Sequence, residues 1–185
     1  MIIEFSGGIG SGKTLSMVMY NYIFYNKFRL NNKKLTTYSN INSLKIPHKN
    51  INIMTNDLKA HIFNGLVLFD EFYLYADSRK SNSKMNIAVT NWVMQIRKLK
   101  VTLLITTQNK NAIDIRIRNN IDISVECVFN SKINKLTWVY EYKNKLNEKN
   151  FIIDKKLFNL YDTLEVIEPI ELSTFNNFLK AFKHD

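Results

Sequence analysis

Five glycines and two prolines in 185 residues are too few for a flexible linker, and no segment is Pro/Ser-rich or repeated at a fixed period. A single domain, 1–185, is therefore expected. The one cysteine, Cys127, excludes a disulfide framework and points to a reducing compartment. In the apolar stretch "IDISVECVFN" it reads as a small buried hydrophobe rather than a nucleophile. His48, His61 and His184 lie too far apart in sequence to suggest a metal site. No apolar run approaches the roughly 18 residues a spanning helix needs, and the N-terminus has neither a basic leader region nor a cleavage signal. No integral membrane segment is expected, and the chain reads as soluble and cytoplasmic. Acidic residues are also scarce, 16 against 26 Lys and Arg, for a formal charge of +10. That balance favours a polyanionic partner, nucleic acid or an acidic membrane surface, unless a general Lys- and Asn-rich composition accounts for it.

A hydrophobic fraction of 45% is enough for a core. "IIEF" at 2–5 reads as a strand, and Leu15, Val18, Met19, Tyr22 and Ile23 fall near helical spacing after it. "KLTTYSNI" at 34–41 is rich in β-formers, and "TNDLKAHIF" has a capping residue and a short helical pattern. "GLVLFDEF" at 65–72 and "VTLLITTQ" at 101–108 are uninterrupted apolar runs, which suits strands buried on both faces of a parallel sheet. Between them, Val89, Trp92, Val93, Ile96 and Leu99 form one helical stripe. This alternation predicts an α/β layer structure with a mostly parallel core sheet over 1–122. In 123–185, "ISVECVFN" and "LTWVYEYKN" read as an antiparallel pair at the sheet edge. "FIID", short helices at "KKLFNLY" and "STFNNFLKAF", and "LEVIEP" complete the chain.

"GGIGSGKT" at 7–14 carries the chemistry. Gly7, Gly12, Lys13 and Thr14 satisfy G-x-x-x-x-G-K-[ST], and Gly8, Gly10 and Ser11 complete a backbone cradle for phosphates. Lys13 is placed to reach the β- and γ-phosphates of ATP, and the Thr14 hydroxyl to hold Mg²⁺. A chance match in a chain of this length is roughly 1 in 100 from average composition. Asp70 ends a buried strand, which sets its carboxylate beside the Mg²⁺ shell, and Glu71 adds a second carboxylate suited to polarising a water. The pair favours hydrolysis over transfer to an acceptor. Gln108, at the tip of the other buried strand, is placed to touch the γ-phosphate or the attacking water, although "TTQN" also fits ordinary turn chemistry.

With these motifs on "GGIGSGKT", "LVLFDEF", "QIRKLKVTLLITTQNKNAID" and "LFNLYDTLEVIEP", the chain resembles the additional-strand P-loop ATPases of the HerA/FtsK superfamily. It looks closest to small viral genome-packaging ATPases and to Zot-type morphogenesis ATPases of filamentous phages. The resemblance implies a RecA-like three-layer sandwich whose sensor strand lies between the phosphate-loop strand and the acidic strand. It implies a hexameric or pentameric homo-oligomeric ring that moves DNA by hydrolysing ATP. It makes Asp70 the metal-supporting acid, Glu71 the water-activating base and Gln108 the sensor. Arg97 becomes the leading arginine finger toward a neighbour's ATP, with Arg116 and Arg118 in reserve unless they simply form a solvated basic face.

"YADSRKSNSKMN" carries Arg79, Lys80 and Lys84. A flexible basic segment tethered to the catalytic strand would grip DNA phosphates without reading bases; otherwise it is a disordered surface loop. Double-stranded DNA is the expected partner, with capsid or portal-vertex proteins as further ones. No ring-forming domain precedes the phosphate loop and no membrane segment follows the core, which tilts the reading toward genome packaging in the host cytoplasm, with or without attachment to the assembling virion. The alternatives are a Zot-like phage-extrusion or conjugation-type motor, a small-molecule or nucleoside kinase, and a phosphate-binding scaffold without turnover.

Overall fold

A computed structural model describes residues 1–33, 35–53, 65–142 and 144–180. The order is β1 (Ile2–Ser6), α1 (Lys13–Leu30), β2 (Thr36–Ser39), β3 (Lys49–Asn50), β4 (Gly65–Phe69) and α2 (Lys84–Gln95). It continues with β5 (Thr102–Thr107), α3 (Ile115–Arg118), β6 (Ile123–Asn130), β7 (Lys135–Tyr142), β8 (Lys145–Ile152), α4 (Lys155–Phe158) and α5 (Leu172–Lys180). The helix read at "TNDLKAHIF" lies outside the described residues.

The strands form one eight-stranded sheet in the order β3-β2-β4-β5-β1-β6-β7-β8. From β3 to β6 every pairing is parallel; β6–β7 and β7–β8 are antiparallel. β5 sits between β4 and β1, as expected of the sensor strand, with Ser6 beside Thr107 and Phe69 beside Ile105. The carboxyl ends of β1, β5 and β4 therefore lie side by side, which is where open α/β sheets present their ligand sites.

The uninterrupted apolar runs have the double burial they predict. Leu66, Leu68, Leu104 and Phe5 pack on the face covered by α1, with Leu15 and Val18. Val67, Phe69, Leu103 and Ile105 pack on the other face, beneath α2 and α5. The α2 stripe buries Val89, Trp92, Val93 and Ile96 there. Phe175 and Phe178, one turn apart on α5, close the layer against Phe69 and Trp92, with Trp92–Phe178 centroids 5.3 Å apart. α2 stops at Gln95, short of the stripe's end, and the chain turns back through Lys100 at φ 52° into β5.

The edge is larger than the sequence suggests. Residues 145–150 are polar except for Leu146 and show no apolar alternation, yet they form most of β8, a third antiparallel strand in register with β7 from Tyr142↔Lys145 to Lys135↔Ile152. Only one face of β6–β8 is buried, by Cys127, Leu136, Trp138 and Phe151 packed toward α1 and α4. A half-buried edge strand needs few apolar residues.

Candidate active site

The loop from β1 into α1 is shaped by glycine where side chains would collide. A Cβ on Gly7, at φ 147°, would lie 2.5 Å from Ser11 Oγ and 2.9 Å from the Cys127 carbonyl. On Gly12, at φ 85°, it would lie 2.9 Å from Leu136 Cδ1 and 3.1 Å from Phe129 Cβ. Gly12 is the N-cap of α1, so the helix's unpaired N–H groups open toward the loop. Ser16 anchors this first turn to β6 and β7. Its hydroxyl donates to the Gly12 carbonyl (2.7 Å) and accepts from Trp138 Nε1 (2.8 Å) and the Cys127 thiol (3.3 Å). Burial pushes that thiol up to about 11, in keeping with its reading as a packed hydrophobe.

Lys13 is buried and donates through Nζ to the Gly8 carbonyl at 2.8 Å. One residue on, Thr14 Oγ1 donates to both carboxylate oxygens of Asp70, at 3.0 and 3.1 Å. Thr106 Oγ1 on β5 donates to Asp70 Oδ1 (2.6 Å) and accepts from the Glu71 N–H (2.9 Å), tying the acidic pair to the neighbouring strand. The Asn40 amide just beyond β2 accepts from the Asp70 N–H (2.8 Å) and donates to the Asp70 carbonyl and Tyr75 Oη, both at 3.0 Å. Burial, with the Glu71 charge adding to it, pushes the Asp70 carboxyl up to about 6 against the donors on Thr106 and Thr14.

Glu71 stands in the left-handed region, φ 50° and ψ 50°. For a non-glycine residue that conformation is strained, and here the Thr106 bond and the turn following β4 hold it. Its Oε2 is buried without a hydrogen-bond partner. Glu71 itself lines the cavity, and this unpaired oxygen needs a donor, which a side-chain rotation toward a substrate water would supply.

Lys13, Thr14, Asp70, Glu71 and Gln108 all line one cavity of about 510 Å³, together with Gly10 and Gly12. Phe129, Phe158, Tyr161 and Ile167 form its apolar wall. The segment after α4 is fixed across the cavity by Glu165, whose carboxylate accepts from the N–H groups of Asn42 (2.6 Å) and Ser43 (2.9 Å) and from the Ser43 hydroxyl. An oxygen donor set of Thr14 and Asp70 fits Mg²⁺ completed by phosphate and water oxygens. Among the described residues no three His, Cys, Asp or Glu gather as a self-sufficient metal centre.

The remaining candidates lie apart. Arg97 pairs with Asp122 at 2.7 Å, and Asp122 also accepts from the Ile2 N–H. This puts Arg97 at the amino ends of β1 and β6, opposite the cavity. Arg116 chelates Asp114 and reaches the Ser81 carbonyl, and Arg118 bonds Asn111 Oδ1. In the segment 76–87, a short helical turn at 78–80 and the first turn of α2 replace the expected loop, and Asp77 and Ser83 cap them by accepting from the N–H groups of Arg79 and Asn86. Arg79 is folded onto Asp77, while Lys80 and Lys84 are exposed.

Asn40, Thr106, Glu165 and the aromatic wall escaped the sequence reading. The first two had a weak signal, polar residues at the carboxyl ends of strands in "YSN" and "ITTQ"; the others had none.

A phosphate loop, acidic strand and interposed sensor strand in this order define a P-loop NTPase fold. The family model for zonular occludens toxin (Zot) matches residues 1–165, and the chain belongs to that family. Among solved structures it is similar to the N-terminal domain of zonular occludens toxin from Neisseria meningitidis, at 22% identity and TM-score 0.64, covering 87% of this chain and 98% of that one. It is also similar to the genome packaging NTPase B204 from Sulfolobus turreted icosahedral virus 2, at 10% identity and TM-score 0.52, covering 80% and 95%. A third likeness is to EssC (ATPases 2 and 3) from Geobacillus thermodenitrificans, at 11% identity and TM-score 0.54, covering 96% of this chain and 43% of that one. No curated protein matches the chain in sequence.

Proposed function

We propose that the chain is an ATP-driven DNA translocase working as a homo-oligomeric ring. The observation that carries this reading is the convergence of Lys13, Thr14, Asp70, Glu71 and Gln108 on one cavity at the ends of three adjacent strands. Lys13 and the loop N–H groups would hold the triphosphate, and Thr14 and Asp70 would hold Mg²⁺, which would supply neutralisation of the phosphate charge. Glu71, turned toward the cavity it lines, accepts a proton from the attacking water, and Gln108 senses the γ-phosphate. Phe129, Phe158 and Tyr161 form an apolar shelf for the rest of the nucleotide.

Lys80 and Lys84, with Arg79 if it leaves Asp77, give the sequence-independent phosphate grip on duplex DNA. Arg97 acts on a neighbour's ATP once released from Asp122, and Arg116 and Arg118 stand in reserve. Membership of the Zot family favours DNA movement during phage assembly, the reading placed second on sequence grounds. The likeness to a packaging NTPase keeps capsid filling, with portal-vertex partners, as the other task for the same site. Action in the host cytoplasm during assembly is part of either reading.

Steady-state ATP hydrolysis with and without duplex DNA, for wild type and Arg97→Ala across protein concentration, tests the proposal. A motor hydrolyses faster with DNA and with neighbours, and Arg97→Ala drops the rate roughly 10³-fold or more if it is the finger. Rates indifferent to DNA and concentration would instead favour a kinase or scaffold. Glu71→Gln should retain bound ATP without turnover.

A further inference from the structure

The second face of the β6–β8 extension carries no helix among the described residues. Glu126, Val139 and Glu148 form one cross-strand row on it, Glu141 and Leu146 are paired in the next, and at the opposite end Lys135, the basic residue of the face, pairs with Ile152. Leu146 is 79% exposed, Ile152 77% and Val128 52%. A cavity of about 450 Å³ at one end of this ledge is lined by Asp122, Glu126 and Glu141, with Lys110 as the basic residue among its lining. With Glu126, Glu141 and Glu148 outnumbering Lys135, this face on a chain of charge +10 is unsuited to DNA, whose phosphates it would repel.

A matching surface lies on the same chain. α2 exposes Ile87 (42%) and Met94 (50%) along one stripe, with Lys98 just beyond the helix, and Ile115 of α3 beside it is 57% exposed. A 12-residue helix is about 18 Å long and 10 Å wide. Eight-residue strands at the usual spacing offer about 26 Å by 10 Å between the outer strand axes. Shape, apolar content and charge sign all match.

We propose that a second copy of this chain docks the Ile87–Met94–Lys98 surface of its α2 on the β6–β8 ledge, a head-to-tail contact that repeats from subunit to subunit. The partner's helix continues over β6–β8 the helical layer that α2 and α5 build on the core strands. A heterologous contact of this kind closes into a ring when its rotation permits. The inference rests on the reading of the chain as a self-assembling motor and names the surface by which it assembles.

Sedimentation velocity on the full chain, with and without ATPγS, tests it. Wild type should sediment as an oligomer. The ledge variant (Glu126→Lys, Glu141→Lys, Glu148→Lys) and the helix variant (Met94→Glu, Lys98→Glu) should each be monomeric, with association weakened roughly 100-fold by like-charge contact. An equimolar mixture should re-associate, because each variant's altered face meets a complementary one, and that recovery also excludes misfolding as the cause. Wild type monomeric at the highest soluble concentration, a ledge variant that associates like wild type, or a mixture that stays monomeric would each overturn it. Fluorescent-nucleotide binding on the same samples separates the two readings: a wild type that oligomerises without binding nucleotide sinks the ATPase reading alone.

Discussion

Asp70→Asn should stabilise the nucleotide-free protein at neutral pH while abolishing Mg²⁺-dependent nucleotide binding. In the folded chain the Asp70 carboxyl is pushed up to about 6 from an ordinary value of 3.8, chiefly by burial. Between those values the folded state holds the proton that the unfolded state releases, so stability falls as pH rises through the window. Below pH 4 the penalty is absent; above pH 6 it is complete. The gap corresponds to about 3 kcal/mol. Asparagine keeps an oxygen to accept from Thr14 and Thr106 but brings an amide N–H₂ that needs its own acceptor, so a net gain of about 1–2 kcal/mol is expected. For a chain of this length that is a rise of roughly 2–8 °C in Tm. Thermal unfolding in EDTA at pH 4 and pH 7.5 reads it directly: the variant should gain at the higher pH and fall below wild type by about 1–2 kcal/mol at the lower, where only the unpaired amide counts. A variant less stable than wild type at pH 7.5, or one whose gain is the same at both pH values, would refute the argument that ionised Asp70 is held at a cost.

The three tethers around the loop give further outcomes. Gly12→Ala places a methyl 2.9 Å from Leu136 Cδ1 at a φ of 85°, so stability should fall by roughly 1–2 kcal/mol and titration with a fluorescent ATP analogue should show weakened binding. Ser16→Ala removes the acceptor of the buried Trp138 N–H and should cost about 1–3 kcal/mol in urea unfolding, with a shift in tryptophan emission. Thr106→Val strips Asp70 of its shortest hydrogen bond and the Glu71 N–H of its acceptor; kcat should drop at least about tenfold with a smaller change in KM, and Thr106→Ser should restore it.

What could be read along the chain was local or periodic. The phosphate loop is contiguous, and the apolar runs of β4 and β5 state their double burial in residue type alone. β8 was hidden because its open face asks for little hydrophobicity, leaving "KLNEKN" without a pattern. Asn40 was hidden for another reason: its amide is defined by the backbone of a residue 30 positions away. Glu165 meets Asn42 and Ser43 across more than 120 residues, and no spacing rule reaches that far.

The same distinction separates the parts of the active site by their demands on the fold. Lys13 and Thr14 need only a loop and one helix turn, so a short motif suffices to place them. Asp70 and Glu71 require a neighbouring strand to supply Thr106 and a further one to lead into Asn40. That dependence follows from β5 lying between β1 and β4: with β5 elsewhere, Thr106 would not bridge Asp70 and Glu71, and Gln108 would not line the same cavity as Lys13. The geometry of the candidate site is therefore a property of strand order. A perturbation that loosens β5, even far from the nucleotide, should lower turnover before it lowers nucleotide affinity.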